Sequence, residues 1–190
     1  MMTDLYRAAL EVQAFCERHE WRFCIIGGIA LARWGRPRAT EDVDLTLLTG
    51  LGDELRFAET FLQQFRPRID DAASFSQVSR VLLITASNGI DVDVGFGALA
   101  FEERAIERAS WCRYADDVDL FTASAEDVFT MKAFAGRPQD WLDIEGIAIR
   151  QGRKLDWHLI DRELIGLCDA AEREAPLDHL AEIRRIAEEE

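Results

Sequence analysis

Apolar and polar residues follow two different patterns along the chain. Between residues 4 and 18 the apolar positions recur with the period of a helix, which predicts an amphipathic helix with one buried stripe. Val43, Leu45 and Leu47 instead alternate with polar residues, as in a strand that buries one face. The chain therefore combines helices and strands.

An Asn-Gly pair separates two further segments of strand-like pattern. Residues 79–86 and 90–96 lie on either side of Ser87, Asn88 and Gly89, and Asn-Gly in that position is typical of a β-hairpin. The remaining predicted strands cover residues 22–26, 111–114 and 118–121. The remaining predicted helices cover residues 29–34, 53–65, 98–109, 124–135, 139–150, 158–173 and 177–188.

The predicted strands all precede residue 124, and only helices follow it. This order indicates the α+β (α/β) class, with a mixed β-sheet flanked by helices and a helical C-terminal lobe. We expect residues 1–123 to form a sheet-containing core that includes the N-terminal helix. Residues 124–190 are expected to form the helical lobe, packed on that core.

The excess of acidic residues argues against a protein that binds nucleic acid through a broad, positively charged surface. The 190 residues include 22 Lys and Arg against 36 Asp and Glu, a formal net charge of −14. A broad cationic surface for nucleic acid is therefore not expected.

Four widely spaced cysteines argue against a zinc site and a disulfide scaffold. Residues 1–15 lack the apolar region of a signal peptide, and the uncharged run 23–32 is too short to span a membrane, so we expect a cytoplasmic protein.

Two pairs of aspartates occupy alternate positions of predicted strands. Asp42 and Asp44 share one strand face, and Asp91 and Asp93 share a face of the second hairpin strand. Solvated strand faces would explain either pair alone. Aspartate is uncommon in strands, however, and two pairs in one small sheet favour a bound cation that neutralises them. Mg²⁺ is the candidate, because it prefers carboxylate and phosphate oxygens.

A predicted strand, a Gly-Gly pair and a predicted helix follow one another upstream of the first aspartate pair. Gly27 and Gly28 would let the backbone approach a ligand closely, and the helix start would present free N–H groups to a phosphate. An ordinary turn would use the same two glycines. The chain has neither the G-x-G-x-x-G nor the Walker A pattern, so a dinucleotide-binding fold and a P-loop have no support.

Together these residues resemble the signature of the polymerase-β-like nucleotidyltransferase superfamily. The similar segments are GGIALARWGRPRATEDVDL at residues 27–45, DVGFG at residues 93–97 with Phe101 and Glu102, and EDVFTMKAFAGRPQDWLD at residues 126–143. The spacing from Gly28 to Asp42, with Arg38 and Thr40 before the acids, is most similar to AbiEii-type toxin nucleotidyltransferases of type IV toxin–antitoxin systems. The similarity extends over residues 23–150.

The resemblance implies a nucleotidyltransferase-type sheet, with residues 1–123 as the catalytic core, and a set of site residues. Two Mg²⁺ ions would be held by catalytic carboxylates, which would be Asp42, Asp44 and Asp93. Asp93 is preferred because the similarity includes the DVGFG segment, and Asp91 is the alternative on the same face. The residues implied to bind the nucleotide are Gly27, Gly28, Arg38, Thr40 and Lys132. Asp140 and Asp143 are implied to lie near the site.

Some of these residues also have simpler interpretations. Arg38 could be an ordinary loop residue, or it could orient a phosphate or a carboxylate through two hydrogen bonds. Lys132 could be a surface lysine that covers apolar side chains. Asp140 and Asp143 lie near a predicted helix start, where the helix dipole alone favours acids.

The resemblance also implies the reaction and the partners. The enzyme would move NMP from an NTP to an acceptor hydroxyl and release pyrophosphate, as the toxin of a toxin–antitoxin pair. tRNA is the implied acceptor, and a cognate antitoxin is the implied protein partner. One alternative is a nucleotidyltransferase of small molecules, because an acidic cleft suits a cationic aminoglycoside. The other alternative is a non-catalytic module of the same fold that binds a nucleotide or a partner.

Overall fold

The computed structural model of the protein describes residues 3–189, which form two compact units. The first unit comprises the described residues up to Ile29 together with Ala39–Ala123. The second unit comprises Ala30–Arg38 and the described residues from Ser124 onward.

A mixed β-sheet of seven strands forms the first unit. Its strands are, in chain order, β1 (Phe23–Ile25), β2 (Asp42–Leu48), β3 (Arg66–Pro67), β4 (Val81–Thr85), β5 (Asp91–Gly97), β6 (Ser110–Ala115) and β7 (Val118–Thr122). Across the sheet they follow the order β3-β4-β5-β2-β1-β7-β6. β2 pairs with β5 and β1 with β7 in parallel, and the other neighbours are antiparallel. The expected fold class is confirmed.

Helices precede, connect and follow the strands. In chain order they are α1 (Asp4–Arg18), α2 (Gly27–Trp34), α3 (Glu54–Leu62), α4 (Ala72–Ser79), α5 (Ala100–Arg108), α6 (Ala125–Ala135), α7 (Pro138–Gln151), α8 (Trp157–Ala170) and α9 (Leu177–Glu189), with a 3-10 turn at Gly152–Lys154. Side-chain caps fix several of their starts. The Ser124 hydroxyl, for example, accepts a hydrogen bond of 3.1 Å from the backbone N–H of Asp127 at the start of α6.

The alternating pattern along β2 and β5 decides which face each side chain occupies. Val43, Leu45, Val92 and Val94 are completely buried in one hydrophobic core, to which α1 and α3 also contribute. The side chains of the intervening aspartates leave from the opposite face. The core face therefore fixes the register of the two strands, because a shift by one residue would bury the carboxylates.

Two elements differ from the sequence-based prediction. Helix α4 was not predicted, because its buried positions are the small residues Ala72 and Ser76, whereas the larger Phe75 and Val78 are exposed. The two-residue strand β3 was also missed, because it is short and contains Pro67, which has no backbone N–H to donate to a neighbouring strand. The predicted hairpin is confirmed, since Ala86 donates its N–H to the Ile90 carbonyl across the turn.

The expected division at residue 124 stays a prediction. Ala30–Arg38, which that division assigns to the core, cluster with the second unit.

The four cysteines are free thiols, and Cys16, Cys24 and Cys168 are buried. Within residues 3–189, no helix combines the length and the apolar character needed to cross a membrane.

Candidate functional site

Four carboxylates lie next to one another on β2 and β5. The parallel register pairs Asp42 with Asp91 and Asp44 with Asp93. Because directly opposed residues of neighbouring strands point to the same face, about 5 Å apart, the four side chains form a two-by-two array. We call these four residues the carboxylate ladder. The sequence predicted both pairs, and the structure makes them adjacent.

Gly27 at the start of α2 leaves space for the carboxylate of Asp44. Its φ angle of +59° suits glycine, and a Cβ atom there would overlap Oδ2 of Asp44. A Cβ atom at Gly28 would lie 2.5 Å from the hydroxyl oxygen of Thr40. The two glycines therefore allow Asp44 and Thr40 to approach the backbone of α2, in addition to any role toward a ligand.

Thr40 orients the first carboxylate of the ladder. Its hydroxyl donates a hydrogen bond of 3.0 Å to Oδ1 of Asp42. This contact fixes one oxygen of the carboxylate and leaves the second oxygen to other partners. The residue implied by the resemblance as a nucleotide ligand thus has a second role within the chain itself.

Arg68, which follows β3, contacts the other strand of the ladder. Its guanidinium donates a hydrogen bond of 2.7 Å to Oδ1 of Asp93 and lies 3.5 Å from Oδ2 of Asp91. The backbone N–H of Arg68 donates to the Leu83 carbonyl at 3.1 Å, which holds the residue beside the sheet. Arg68 is not predicted from the sequence, because nothing near it in the sequence indicates that this segment pairs with β4.

The electrostatic environment of Asp93 is unfavourable for its negative charge. Burial raises the pKa of Asp93 above its usual value. The positive charge of Arg68 opposes this rise, and the negative charges of Asp42 and Asp91 add to it. An additional cation near the ladder would therefore reduce the repulsion and offset the cost of burying the Asp93 carboxylate.

The ladder suits Mg²⁺ by its donor chemistry. Its ligand atoms are carboxylate oxygens, which hard divalent cations prefer, and Asp42 and Asp44 leave one face of one strand. Within residues 3–189, however, no three acidic, histidine or cysteine side chains already converge on one cation position. The contact with Arg68 engages Oδ1 of Asp93, the carboxylate proposed as the third ligand.

A second charged cluster lies within the second unit, between α6 and α7. The Lys132 ammonium lies 2.6 Å from Oδ2 of Asp143 and 3.2 Å from Oδ1 of Asp140. All three residues are buried, and Lys132 is only 9% exposed. The simpler interpretation of Lys132 as a surface lysine is wrong, because its charge is balanced by two buried carboxylates.

Two further side chains complete the surroundings of Asp143. Arg38 donates through Nε to both of its oxygens, at 3.2 and 3.3 Å, and Gln139 donates to Oδ1 at 3.1 Å. Burial by itself would raise the pKa of Asp143, but the hydrogen bonds from Lys132 and Gln139 and the charges of Lys132 and Arg38 lower it. Of the two partners expected for Arg38, a carboxylate is the one in contact.

The fold is similar to solved structures of nucleotidyltransferases. Antibiotic-resistance factor ANT(2'')-Ia is 18% identical, with a TM-score of 0.55 over 96% of this chain and 99% of its own. An antigenic nucleotidyltransferase-like protein from Paracoccidioides brasiliensis is 14% identical, with a TM-score of 0.52 over 96% and 93%. Lincomycin-bound lincosamide antibiotic adenylyltransferase LnuA is 10% identical, with a TM-score of 0.50 over 77% and 96%. At these identities the similarity shows a shared fold.

Sequence comparison assigns the family. A search of curated protein sequences finds no significant match. The sequence profile of the family described as nucleotidyl transferase AbiEii toxin, Type IV TA system, matches residues 13–188. That range includes both charged clusters and nearly the whole chain. The chain therefore belongs to the AbiEii nucleotidyl transferase family and is a nucleotidyltransferase enzyme.

Proposed function

We propose that the enzyme is Mg²⁺-dependent and that it moves NMP from an NTP to a hydroxyl of tRNA, as the toxin of a type IV toxin–antitoxin pair. The acceptor oxygen would form a bond to the α-phosphorus, the bond to pyrophosphate would break, and the acceptor would lose its proton. The observation that carries the proposal is the in-register pairing of β2 with β5, which brings four carboxylates together.

The metal-binding roles follow from the donors of the ladder. Asp42 and Asp44 would hold two Mg²⁺ ions, and Asp93 would complete one of the sites, with Asp91 as the alternative. When bound, Mg²⁺ would polarise the phosphate and lower the pKa of the acceptor hydroxyl. Within the chain, the hydroxyl of Thr40 would keep the Asp42 carboxylate oriented through its hydrogen bond.

The nucleotide-binding roles remain proposals from the family resemblance. They concern Gly27, Gly28, Arg38, Thr40 and Lys132, with Asp140 and Asp143 as neighbours of the site. For Lys132 a second role is already visible, because its ammonium forms ion pairs with two buried carboxylates. A substitution at Lys132 therefore has to be interpreted through stability before it is interpreted through nucleotide binding.

Metal and nucleotide should bind as a coupled pair. We expect NTP affinity measured by calorimetry to rise at least about tenfold when Mg²⁺ replaces EDTA, because Mg²⁺ completes its ligand shell with phosphate oxygens. The substitution Asp42→Asn should remove most of this gain. The matched control is Asp116→Asn, an exposed aspartate of the same unit, which should bind like the wild type. Equal affinities in EDTA and in Mg²⁺ would contradict the proposed metal site.

The acceptor is supported by the family and opposed by the charge balance. The family description names a type IV toxin, whereas the net charge of −14 leaves few cations for RNA. The net charge and the ladder support the alternative, which is a small-molecule nucleotidyltransferase. Clustered carboxylates attract a cationic acceptor. The family membership favours either enzyme over the non-catalytic module.

The exposed basic residues after α7 distinguish the two acceptors. Charge reversal at Arg153 and Lys154 should weaken the binding of tRNA. For the wild type, the slope of log affinity against log salt concentration is expected at about −2 to −4. In the variant this slope should become shallower by about 0.9 for each duplex phosphate that is no longer bound. Transfer to a cationic aminoglycoside should stay the same or improve. Charge reversal at Arg162 and Arg185, exposed in the same unit, serves as the control. Unchanged tRNA binding in the first variant would contradict this placement of the acceptor.

A further inference from the structure

Arg68 places its positive charge against the two carboxylates of β5. Its guanidinium lies 2.7 Å from Oδ1 of Asp93 and 3.5 Å from Oδ2 of Asp91, so it bridges both carboxylates of β5. Its side chain is only 24% exposed, compared with 33% for Asp93. The pair is thus partly shielded from solvent, where a charge-assisted hydrogen bond is stronger than at the surface.

The same contact conflicts with metal binding. An oxygen that accepts a short hydrogen bond from a guanidinium has less capacity to coordinate a divalent cation, and the two positive charges repel each other. The ladder, however, is repulsive by itself, since the register of β2 and β5 places four carboxylates side by side. A cation beside Asp93 reduces this repulsion, and in this structure that cation is the guanidinium of Arg68.

We propose that Arg68 is an internal counter-ion that holds Asp93 in the nucleotide-free enzyme and is displaced when the divalent cation enters with the NTP. The inference rests on the proposed role of Asp93 as a metal ligand. Arg68 is a positioning residue, because it acts through Asp93. The phosphates add the negative charge that lets the divalent cation replace the guanidinium, so metal occupancy follows nucleotide occupancy.

A purely structural salt bridge predicts different behaviour. Its removal would lower stability and leave the intrinsic affinity of the ladder for a cation unchanged. A counter-ion in competition with the metal predicts that its removal raises cation affinity. The affinity for Mn²⁺ without nucleotide, followed by electron paramagnetic resonance of the free ion, separates the two and does not depend on enzyme activity.

The experiment titrates MnCl₂ into the wild type, Arg68→Gln, Arg68→Lys and Arg66→Gln. We expect Arg68→Gln to bind Mn²⁺ at least about tenfold more tightly than the wild type, because a nearby like charge has been removed. Arg68→Lys keeps the charge and should stay close to the wild type. Arg66→Gln removes an exposed arginine two positions away and should have no effect. Adding Asp93→Asn to Arg68→Gln should abolish the gain.

A second measurement uses the wild-type protein and does not depend on the folding of a variant. The side-chain Nε–H signal of Arg68, observed by NMR in arginine-labelled protein, should shift when Mg²⁺ and a non-hydrolysable NTP analogue are added together. An unchanged Arg68 signal in the nucleotide-bound enzyme would overturn the inference.

The outcomes separate this inference from the proposed function. If the wild type with the NTP analogue binds Mn²⁺ through Asp42 and Asp44, but Arg68→Gln binds Mn²⁺ alone no better than the wild type, the counter-ion role is wrong and the metal site stands. If no protein binds Mn²⁺ with or without the analogue, the proposed metal dependence is wrong, and the role of Arg68 is wrong with it.

Discussion

Asp42→Ala and Asp44→Ala should each reduce nucleotidyl transfer by about a thousandfold or more while the protein remains folded. A thousandfold loss corresponds to about 4 kcal/mol of transition-state stabilisation, which the proposed Mg²⁺ ions would supply when held by these carboxylates. Thermal stability without metal should stay the same or rise slightly, since each substitution removes one negative charge from a ladder of four. Transfer rates and melting curves in EDTA measure the two effects separately.

The contrary result for these aspartates is a large loss of stability. A sharp decrease in melting temperature for both variants would mean that the carboxylates hold the sheet together and that the reduced activity only reports unfolding. Asp116→Ala, exposed in the same unit, is the control for the removal of an aspartate and should change neither quantity.

Lys132→Met should lower the free energy of unfolding by about 3–5 kcal/mol, because it leaves the buried carboxylates of Asp140 and Asp143 without their shared ammonium. Urea unfolding measures the change. Lys154→Met is the matched control, since Lys154 is the other lysine of the sequence and is exposed. Equal stabilities of the two variants would show that the Lys132 cluster contributes little to folding.

The same cluster predicts how stability depends on pH. The pKa of Asp143 is lowered in the folded protein, so its contribution is complete above the ordinary aspartate pKa of about 4 and is lost as the pH falls toward the lowered value. The difference in stability between the wild type and Lys132→Met should therefore be largest near neutral pH and should narrow as the pH falls through the acidic range, because protonation relieves the unpaired buried carboxylates of the variant. Unfolding measured across this range tests the direction.

The sequence predicted the fold where one physical signal dominates. The alternation of Val43, Leu45 and Leu47 with polar residues predicted β2 and the face of its aspartates, because burial of one face leaves a period of two. The apolar residues that recur with a helical period predicted α1 in the same way. Helix α4 was missed because it buries Ala72 and Ser76, whose small side chains give a weak apolar pattern.

The contacts that decide the chemistry of the site depend on residues far apart in the sequence. Arg68 and Asp93 are brought together by the pairing of β3, β4 and β5, and no local pattern encodes this. Likewise, the spacing of Lys132, Asp140 and Asp143 allows a solvated helix face as well as a buried cluster. Their burial is decided by how α6 and α7 pack within the second unit.

We propose above that this chain transfers NMP by means of the carboxylate ladder. The most direct test incubates the protein and Asp44→Asn with Mg²⁺ and each NTP, labelled at the α- or at the γ-phosphorus, in the presence of total tRNA or an aminoglycoside panel. We predict that α-label, and not γ-label, enters tRNA with the wild type and that Asp44→Asn transfers neither. Label in the aminoglycosides alone would support the small-molecule alternative. Transfer of γ-label would contradict NMP transfer, and equal transfer of α-label by Asp44→Asn would contradict the role of the carboxylate ladder.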